Sequence, residues 1–245
     1  MGITVVRIWA FNDDVDIWNW NTLQTAPGIY QEYVFKALDY VIAKAGEYDI
    51  KLMLTFTDYW GAYGGMEQYV QWDNQYGSDG NASRNIYDFY TDSDIRGWFK
   101  NHISTVLNRT NTITGIKYKD DPTIFSWEIA NEPRGLGTQE GKMGYYNWVK
   151  EMTGHIKSID PKHMVSIGSE GFYDKEPGSS DFKWNGSKAM DFIRDNQLDS
   201  VDFATVHIWP EPWRMAYEES MAWLQEHISD ANNILRKPLG VEEFG

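Results

Sequence analysis

Thr123-Ile124-Phe125-Ser126-Trp127-Glu128-Ile129-Ala130-Asn131-Glu132-Pro133 carries more information than any other stretch of this 245-residue chain. Its first seven residues are rich in β-branched and aromatic side chains and predict a strand. Asn131 and Glu132 follow at once, so a carboxylate stands at the mouth of that strand. Parallel α/β architectures place their chemistry at this end of their strands. Glu128 lies four residues before Glu132, on the same side of an ideal strand but deeper.

Outward from this stretch the punctuation is strand, loop, helix, repeated. Toward the N-terminus, strands are expected over 5–9 and 50–56. Between them Tyr30, Val34, Leu38, Val41 and Ala45 recur at helical spacing, with Phe35 and Ile42 widening the stripe. A Trp-bearing loop runs to about Gly28, and a loop rich in Gly, Tyr and Trp to about Tyr90. Asp92 or Ser93 then caps a helix carrying Ile95, Phe99, Ile103 and Leu107. Toward the C-terminus, helices are expected at 145–159, 189–196 and 215–235, the last with Ala222, Leu224, Ile228 and Ile234 as apolar positions. Strands are expected at 164–167, 201–207 and 239–244.

Alternating strands and helices imply parallel strands joined by crossovers, in a doubly wound sheet or a closed barrel. No Gly-rich phosphate loop follows the first strand, which disfavours a nucleotide-binding domain. The six strands expected are two fewer than an eightfold (β/α) barrel contains. No linker-like stretch divides the chain, so residues 1–245 read as one domain.

Acidic residues outnumber basic ones 36 to 22, a formal charge of −14 that repels phosphate backbones and argues against a nucleic-acid partner. No apolar run is long enough to span a bilayer, and no signal-peptide pattern stands at Met1. Cysteine is absent, so disulfides play no part. With 12 Trp and 15 Tyr the chain is rich in flat apolar rings that can stack on pyranose faces, although about half of them are expected in the core. Three Asn-X-Ser/Thr triplets, at Asn81, Asn108 and Asn185, mildly favour a secreted protein.

A second carboxylate motif ends the chain, Glu242-Glu243-Phe244-Gly245. Retaining glycoside hydrolysis needs two carboxyls roughly 5–5.5 Å apart on opposite sides of the anomeric carbon, which strand ends facing each other across a barrel mouth can provide. Either glutamate alone would be weak evidence, since any barrel has strand-end carboxylates in ordinary ion pairs. In a regular strand Glu242 and Glu243 point to opposite faces, and chemistry alone leaves open which is the nucleophile.

Asn131-Glu132-Pro133, His207-X-Trp209 and Glu243-Phe244-Gly245, in this order, resemble glycoside hydrolase family 5. Val6-Arg7-Ile8-Trp9-Ala10-Phe11-Asn12-Asp13, Tyr59-Trp60-Gly61-Ala62-Tyr63-Gly64-Gly65 and Gly168-Ser169-Glu170-Gly171-Phe172-Tyr173 draw the resemblance toward its plant and fungal endo-β-1,4-mannanase branch. The resemblance implies a (β/α)8 TIM barrel, of which about six βα units are present, incomplete at both ends. It implies Glu132 as acid/base and Glu243 as nucleophile, with Glu242 structural. Arg7 would pair with the nucleophile, His207 orient the catalytic pair, and Asn131 hold the sugar 2-OH. Trp209 stands where tyrosine is usual and can offer only a ring N–H. Trp60 and Trp213 would stack on sugars, with Arg134 and Glu170 on the leaving-group side. The acid is expected to have a raised pKa. No cofactor and no metal are implied.

The expected partners are β-mannan polysaccharides and manno-oligosaccharides, with no nucleic acid, no membrane association and a monomeric, secreted protein. A family 5 β-1,4-glucanase is the alternative within enzymes. A non-catalytic sugar binder is the alternative outside them, and the retention of both carboxylates argues against it.

Overall fold

The computed structural model describes residues 2–14 and 20–245, so the Trp-bearing loop expected before Gly28 lies partly outside the described residues. The β-rich runs form six parallel strands: β1 (Val5–Trp9), β4 (Lys51–Thr55), β5 (Ile124–Glu128), β6 (Met164–Ser166), β7 (Ala204–Ile208) and β8 (Leu239–Phe244). The short antiparallel strands β2 (Gln24–Ala26) and β3 (Ile29–Tyr30) make a hairpin in the first long connection. Neighbours run β1-β4-β5-β6 in one sheet and β7-β8 in another. The sheets meet where Asp202 N donates to Val165 O at 2.9 Å and His207 N to Glu170 O at 3.3 Å. Helices α1 (Glu32–Glu47), α2 (Gly65–Tyr76), α3 (Ser93–Asn108), α4 (Gln139–Ile159), α5 (Phe192–Asn196) and α6 (Tyr217–Asp230) fill the connections. Of the two parallel architectures, this is the (β/α) barrel, seen as an arc of six strands.

The core follows from the alternation along β5. Trp127 faces the helix layer, stacked on Phe56 at 5.6 Å and donating to Asp160 at 2.7 Å. Ser126 and Glu128 are buried too, on the other side of the strand. Helix α3 buries Ile95, Phe99, Ile103 and Leu107 as its spacing predicts, and the Asp92 carboxylate caps it by accepting from Asp94 N and Ile95 N. Many of the aromatics are core residues, among them Trp72, Trp148 and Trp223.

Three expectations are corrected. The loop expected to reach Tyr90 contains α2 and a 3-10 turn at Ile86–Tyr90. Glycine and polar residues hid the helical spacing of the buried Met66, Tyr69, Val70 and Asp73. Helix α1 buries Phe35, Asp39 and Ile42, while Tyr30 lies in β3 and Val41 is exposed. Its inward face includes a charge because Arg109 clamps Asp39 at 2.8 and 2.6 Å and Tyr118 donates to it at 2.5 Å. Helix α6 turns Trp223, His227 and Asp230 inward and leaves Ala222 and Ile228 exposed, and Ile234 is exposed in the π-helical turn Ala231–Leu235 that follows. His227, whose pKa burial lowers, has its two ring nitrogens 2.7 Å from the Trp223 and Gly171 carbonyls, so its single N–H donates to one of them.

Candidate active site

The C-terminal ends of the strands converge on a cleft of about 480 Å³ lined by Trp60, Asn131, Glu132, Arg134, Phe182, Trp209, Pro212, Trp213 and Glu243. Glu132 reaches it from beyond β5, where pairing continues after the strand ends. Asn131 N donates to Thr57 O and Glu132 N to Gly168 O, both at 2.8 Å. Glu132 itself sits at φ 46°, a left-handed conformation unusual for a residue with a side chain. Gly168 makes this possible. A Cβ there would lie 2.0 Å from Ala130 O and 2.6 Å from the Glu128 carboxyl carbon, and its φ of 78° favours glycine independently.

Glu243 enters from β8. Its Oε1 accepts from Arg7 Nη1 at 2.6 Å and its Oε2 from Trp209 Nε1 at 3.2 Å. The ring N–H of Trp209 thus supplies the one hydrogen bond it can offer to the carboxylate. Gly245 packs against the same ring, and a Cβ there would come within 2.3 Å of Trp209 Cζ3.

Arg7 is the hub beneath the cleft. Its Nε and Nη2 hold Glu128 Oε1 at 2.8 and 2.5 Å, Nη2 also reaches Asn131 Oδ1 at 2.8 Å, and Nη1 holds Glu243. Burial acts against its charge, but Glu128, Glu242 and Glu243 raise its pKa further. Glu128, fully buried, also accepts from Thr55 Oγ1 at 2.7 Å. It is the deeper carboxylate expected from its spacing, and it anchors Arg7.

Glu242 departs from the regular-strand expectation. Between β7 and β8 the register passes from Val206↔Val241 to His207↔Glu243, so Glu242 is an extra residue in β8. That irregularity lets Glu242 and Glu243 both turn toward the interior. Glu242 Oε2 lies 3.3 Å from His207 Nε2, beneath the cleft, whereas Glu243 lines it.

His207 stands among three carboxylates. Its Nδ1 is 2.7 Å from Glu132 Oε1 and 3.6 Å from Glu243 Oε2, with Glu242 on its other nitrogen. Burial alone would depress its pKa, but hydrogen bonds to Glu132 and Glu242 and the nearby negative charge raise it to about 10. Against the expectation of a raised acid, Glu132 is lowered. Burial pushes it up, and hydrogen bonds from His207 and Trp60 with the charges of His207 and Arg134 outweigh that. In the free site the proton of this pair therefore rests on imidazole. Glu132, His207 and Glu243 each bring a ligand atom within 4.8 Å of the others, a grouping invisible in their sequence spacing that could hold a metal ion. A protonated imidazole cannot coordinate one, so occupancy would first require its proton to leave.

The binding residues divide. Trp60 is half exposed and donates its ring N–H to Glu132. Arg134 lies over that ring at 4.6 Å and donates to Glu170 at 2.6 Å. Glu170 is fully buried beneath Arg134, and burial raises it to about 7 despite the cation. Trp213 is nearly buried against Phe172 at 5.1 Å and shows the cleft only part of its surface, so it is less open than a sugar platform was expected to be. Asn131 has its amide spoken for on both sides, since Nδ2 donates to Asp58 Oδ1 at 2.9 Å while Oδ1 accepts from Arg7. Asp58, buried and unnoticed in the sequence, thus fixes which way the amide faces. Its only signal was its place just past a strand end. Phe182 and Pro212, also lining the cleft, carried no signal.

The family model described as "GH family 5 beta-mannosidase-like" matches residues 1–245. Mannan endo-1,4-beta-mannosidase 1 of Oryza sativa subsp. japonica is 43% identical over 253 residues, covering 100% of this chain and 57% of that protein. Mannan endo-1,4-beta-mannosidase 5 of Arabidopsis thaliana is 42% identical over 255 residues, covering 100% and 58%. The chain thus spans just over half the length of these relatives. Among solved structures, the endo-1,4-beta-D-mannanase from Thermotoga petrophila matches with a TM-score of 0.88 and 34% identity, over 100% of this chain and 71% of that one. The endo-1,4-beta-mannanase from Rhizomucor miehei matches with a TM-score of 0.85 and 37% identity, over 98% and 69%.

Proposed function

This chain belongs to the glycoside hydrolase family 5 β-mannosidase-like family, and from that premise we propose that it carries the catalytic centre of an endo-acting, retaining hydrolase of β-1,4-mannosidic bonds. The observation that carries the proposal is the approach of Glu132 and Glu243, which bring carboxylate oxygens within 4.8 Å of each other at one cleft. Inverting enzymes need roughly 6.5–9.5 Å between their carboxyl groups to seat a water, whereas retaining ones use about 5–5.5 Å.

In the proposed reaction Glu243 attacks the anomeric carbon while Glu132 protonates the departing glycosidic oxygen. Arg7 and Trp209 each hold one oxygen of Glu243 and fix the direction of attack. Glu132 gains its proton as sugar displaces water from the cleft, because a dry site disfavours the ion pair with His207 and the proton crosses their 2.7 Å contact. In the second half Glu132 takes a proton from water, which releases the sugar from Glu243 with its configuration restored. Mannan is the proposed substrate because the relatives named above are mannan endo-1,4-β-mannosidases. A polysaccharide cannot cross a membrane unaided, so the proposed place of action is extracellular.

The test is hydrolysis of mannan, glucomannan and carboxymethylcellulose, with the first products followed by proton NMR. Cleavage of the mannans alone, with β-anomers appearing first, is expected. Initial α-anomers, or preference for carboxymethylcellulose, would contradict the assignment.

A further inference from the structure

Beyond the catalytic cleft lies a second hollow of about 320 Å³, lined among others by Asp181, Trp184, Arg214, Glu219, Trp223 and Glu226. The two share a wall. Phe182 and Trp213 face the cleft, while their chain neighbours Lys183 and Arg214 face the hollow. Arg214 has a left-handed φ of 55°, and it is across this turn in the chain that successive residues serve different sides. Aromatic contact runs through the wall, from Trp213 to Trp223 at 6.1 Å and on to Trp184 at 5.2 Å.

The chemistry of the hollow suits a neutral polyol. Trp184 and Trp223, packed edge to face at 5.2 Å, supply apolar ring surface to its wall. Its carboxylates are held in place yet keep acceptor capacity. Asp181 pairs with Lys183 at 2.8 Å, Glu226 with Lys175 at 2.7 Å, and Glu219 accepts from Ala216 N at 2.9 Å. Three carboxylates against Lys183 and Arg214, in a chain of net charge −14, disfavour an anionic ligand. Aromatic faces with donors and acceptors at the rim match a pyranose, which has apolar faces and equatorial hydroxyls.

We propose that this hollow is a distal subsite for the leaving-group end of a neutral β-1,4-linked sugar chain, engaged once the chain is long enough to pass Trp213. The proposal rests on the mannan reading above and extends the cleft on the side of Arg134 and Glu170. Short oligosaccharides fill only the cleft; longer ones also cover Trp184 and the rim formed by Arg214 and Glu219.

The test measures binding rather than turnover. The chain with Glu243→Gln is titrated calorimetrically with mannotriose and mannohexaose, alone and with a second substitution. Ala222→Trp fills the hollow from an exposed position of α6. Arg214→Asn removes the guanidinium with a residue that tolerates left-handed backbone. Each is expected to weaken mannohexaose by about fivefold or more, leaving mannotriose within about twofold. Mannohexaose binding that ignores both substitutions overturns the subsite while leaving the mannan reading intact. Equal weakening of both sugars also overturns the subsite. Failure of either sugar to bind overturns the subsite together with the mannan reading.

Discussion

Trp209 and Glu243 are joined by a 3.2 Å hydrogen bond from indole N–H to carboxylate, and the indole that makes it is seated on Gly245 two residues later in the chain than Glu243. An indole only donates and does not titrate, so the donor is present at any working pH. Trp209→Phe keeps the ring and deletes the donor. Its kcat on mannan should fall about tenfold, the consequence of one lost hydrogen bond to a charged group. Gly245→Ala, which leaves the donor in place but pushes the ring away, should produce a loss of similar size. Full activity in Gly245→Ala would mean that the seat does not matter.

The two adjacent glutamates separate by chemistry. Glu243→Ala should lower mannan turnover by about 10⁴-fold or more, with azide restoring part of it as an external nucleophile. Glu242→Ala should also reduce activity, since His207 loses a partner, but azide should not help. Azide rescue of Glu242→Ala in place of Glu243→Ala would reverse the assignment.

Asp58 should matter although it does not line the cleft. Asp58→Ala frees the Asn131 amide to rotate, leaving only Arg7 to hold it. A loss of about tenfold in kcat/KM is expected, with little change in thermal midpoint. A drop in midpoint that accounted for the whole loss of activity would instead make Asp58 a stability residue.

Gly168→Ala should cost about 3 kcal/mol or more of stability, because the added methyl meets a backbone oxygen at 2.0 Å in a left-handed position. Urea unfolding monitored by circular dichroism gives the number. A loss below about 0.5 kcal/mol, within the range of an ordinary surface change, would show that the turn beneath Glu132 can yield.

Stability should peak in mildly acidic solution. His207 has its pKa raised from 6.5 to about 10, so its contribution is complete below pH 6.5 and is lost as pH rises through 10. Glu170, raised from 4.5 to about 7 chiefly by burial, adds a penalty that grows across that interval. On the acid side, burial raises Asp160, but bonds from His163 and Trp127 prevail and hold it at about 2. Its contribution is therefore present above pH 3.8 and lost toward pH 2. Urea midpoints measured across pH should be highest between about pH 4 and 5 and should fall by pH 10, less steeply in Glu170→Gln. A profile flat from pH 5 to 10 would refute the raised His207.

Much of this was legible because strands and their ends have strong local signatures. The six parallel strands were found from β-branched runs, and Glu132, Glu243, Arg7 and His207 meet around one cleft. Helix faces were harder. Asp39 and His227 are buried with partners supplied by distant segments, so the apolar stripe of α1, right at Phe35, Ile42 and Ala45, missed the buried charge, and that of α6 pointed largely to the wrong side.

By itself the sequence determined the alternation of strands and helices, the two carboxylates at strand ends and the aromatic wealth of the chain, since each is written in residue type and local spacing. Only the tertiary structure decided which of Glu242 and Glu243 lines the cleft, where the proton of the Glu132–His207 pair rests, and that Asp58 aims Asn131. The reason is physical. A one-residue shift in the pairing of β7 with β8, and charges brought together from positions 7, 132, 207 and 243, exist only once the strands lie side by side.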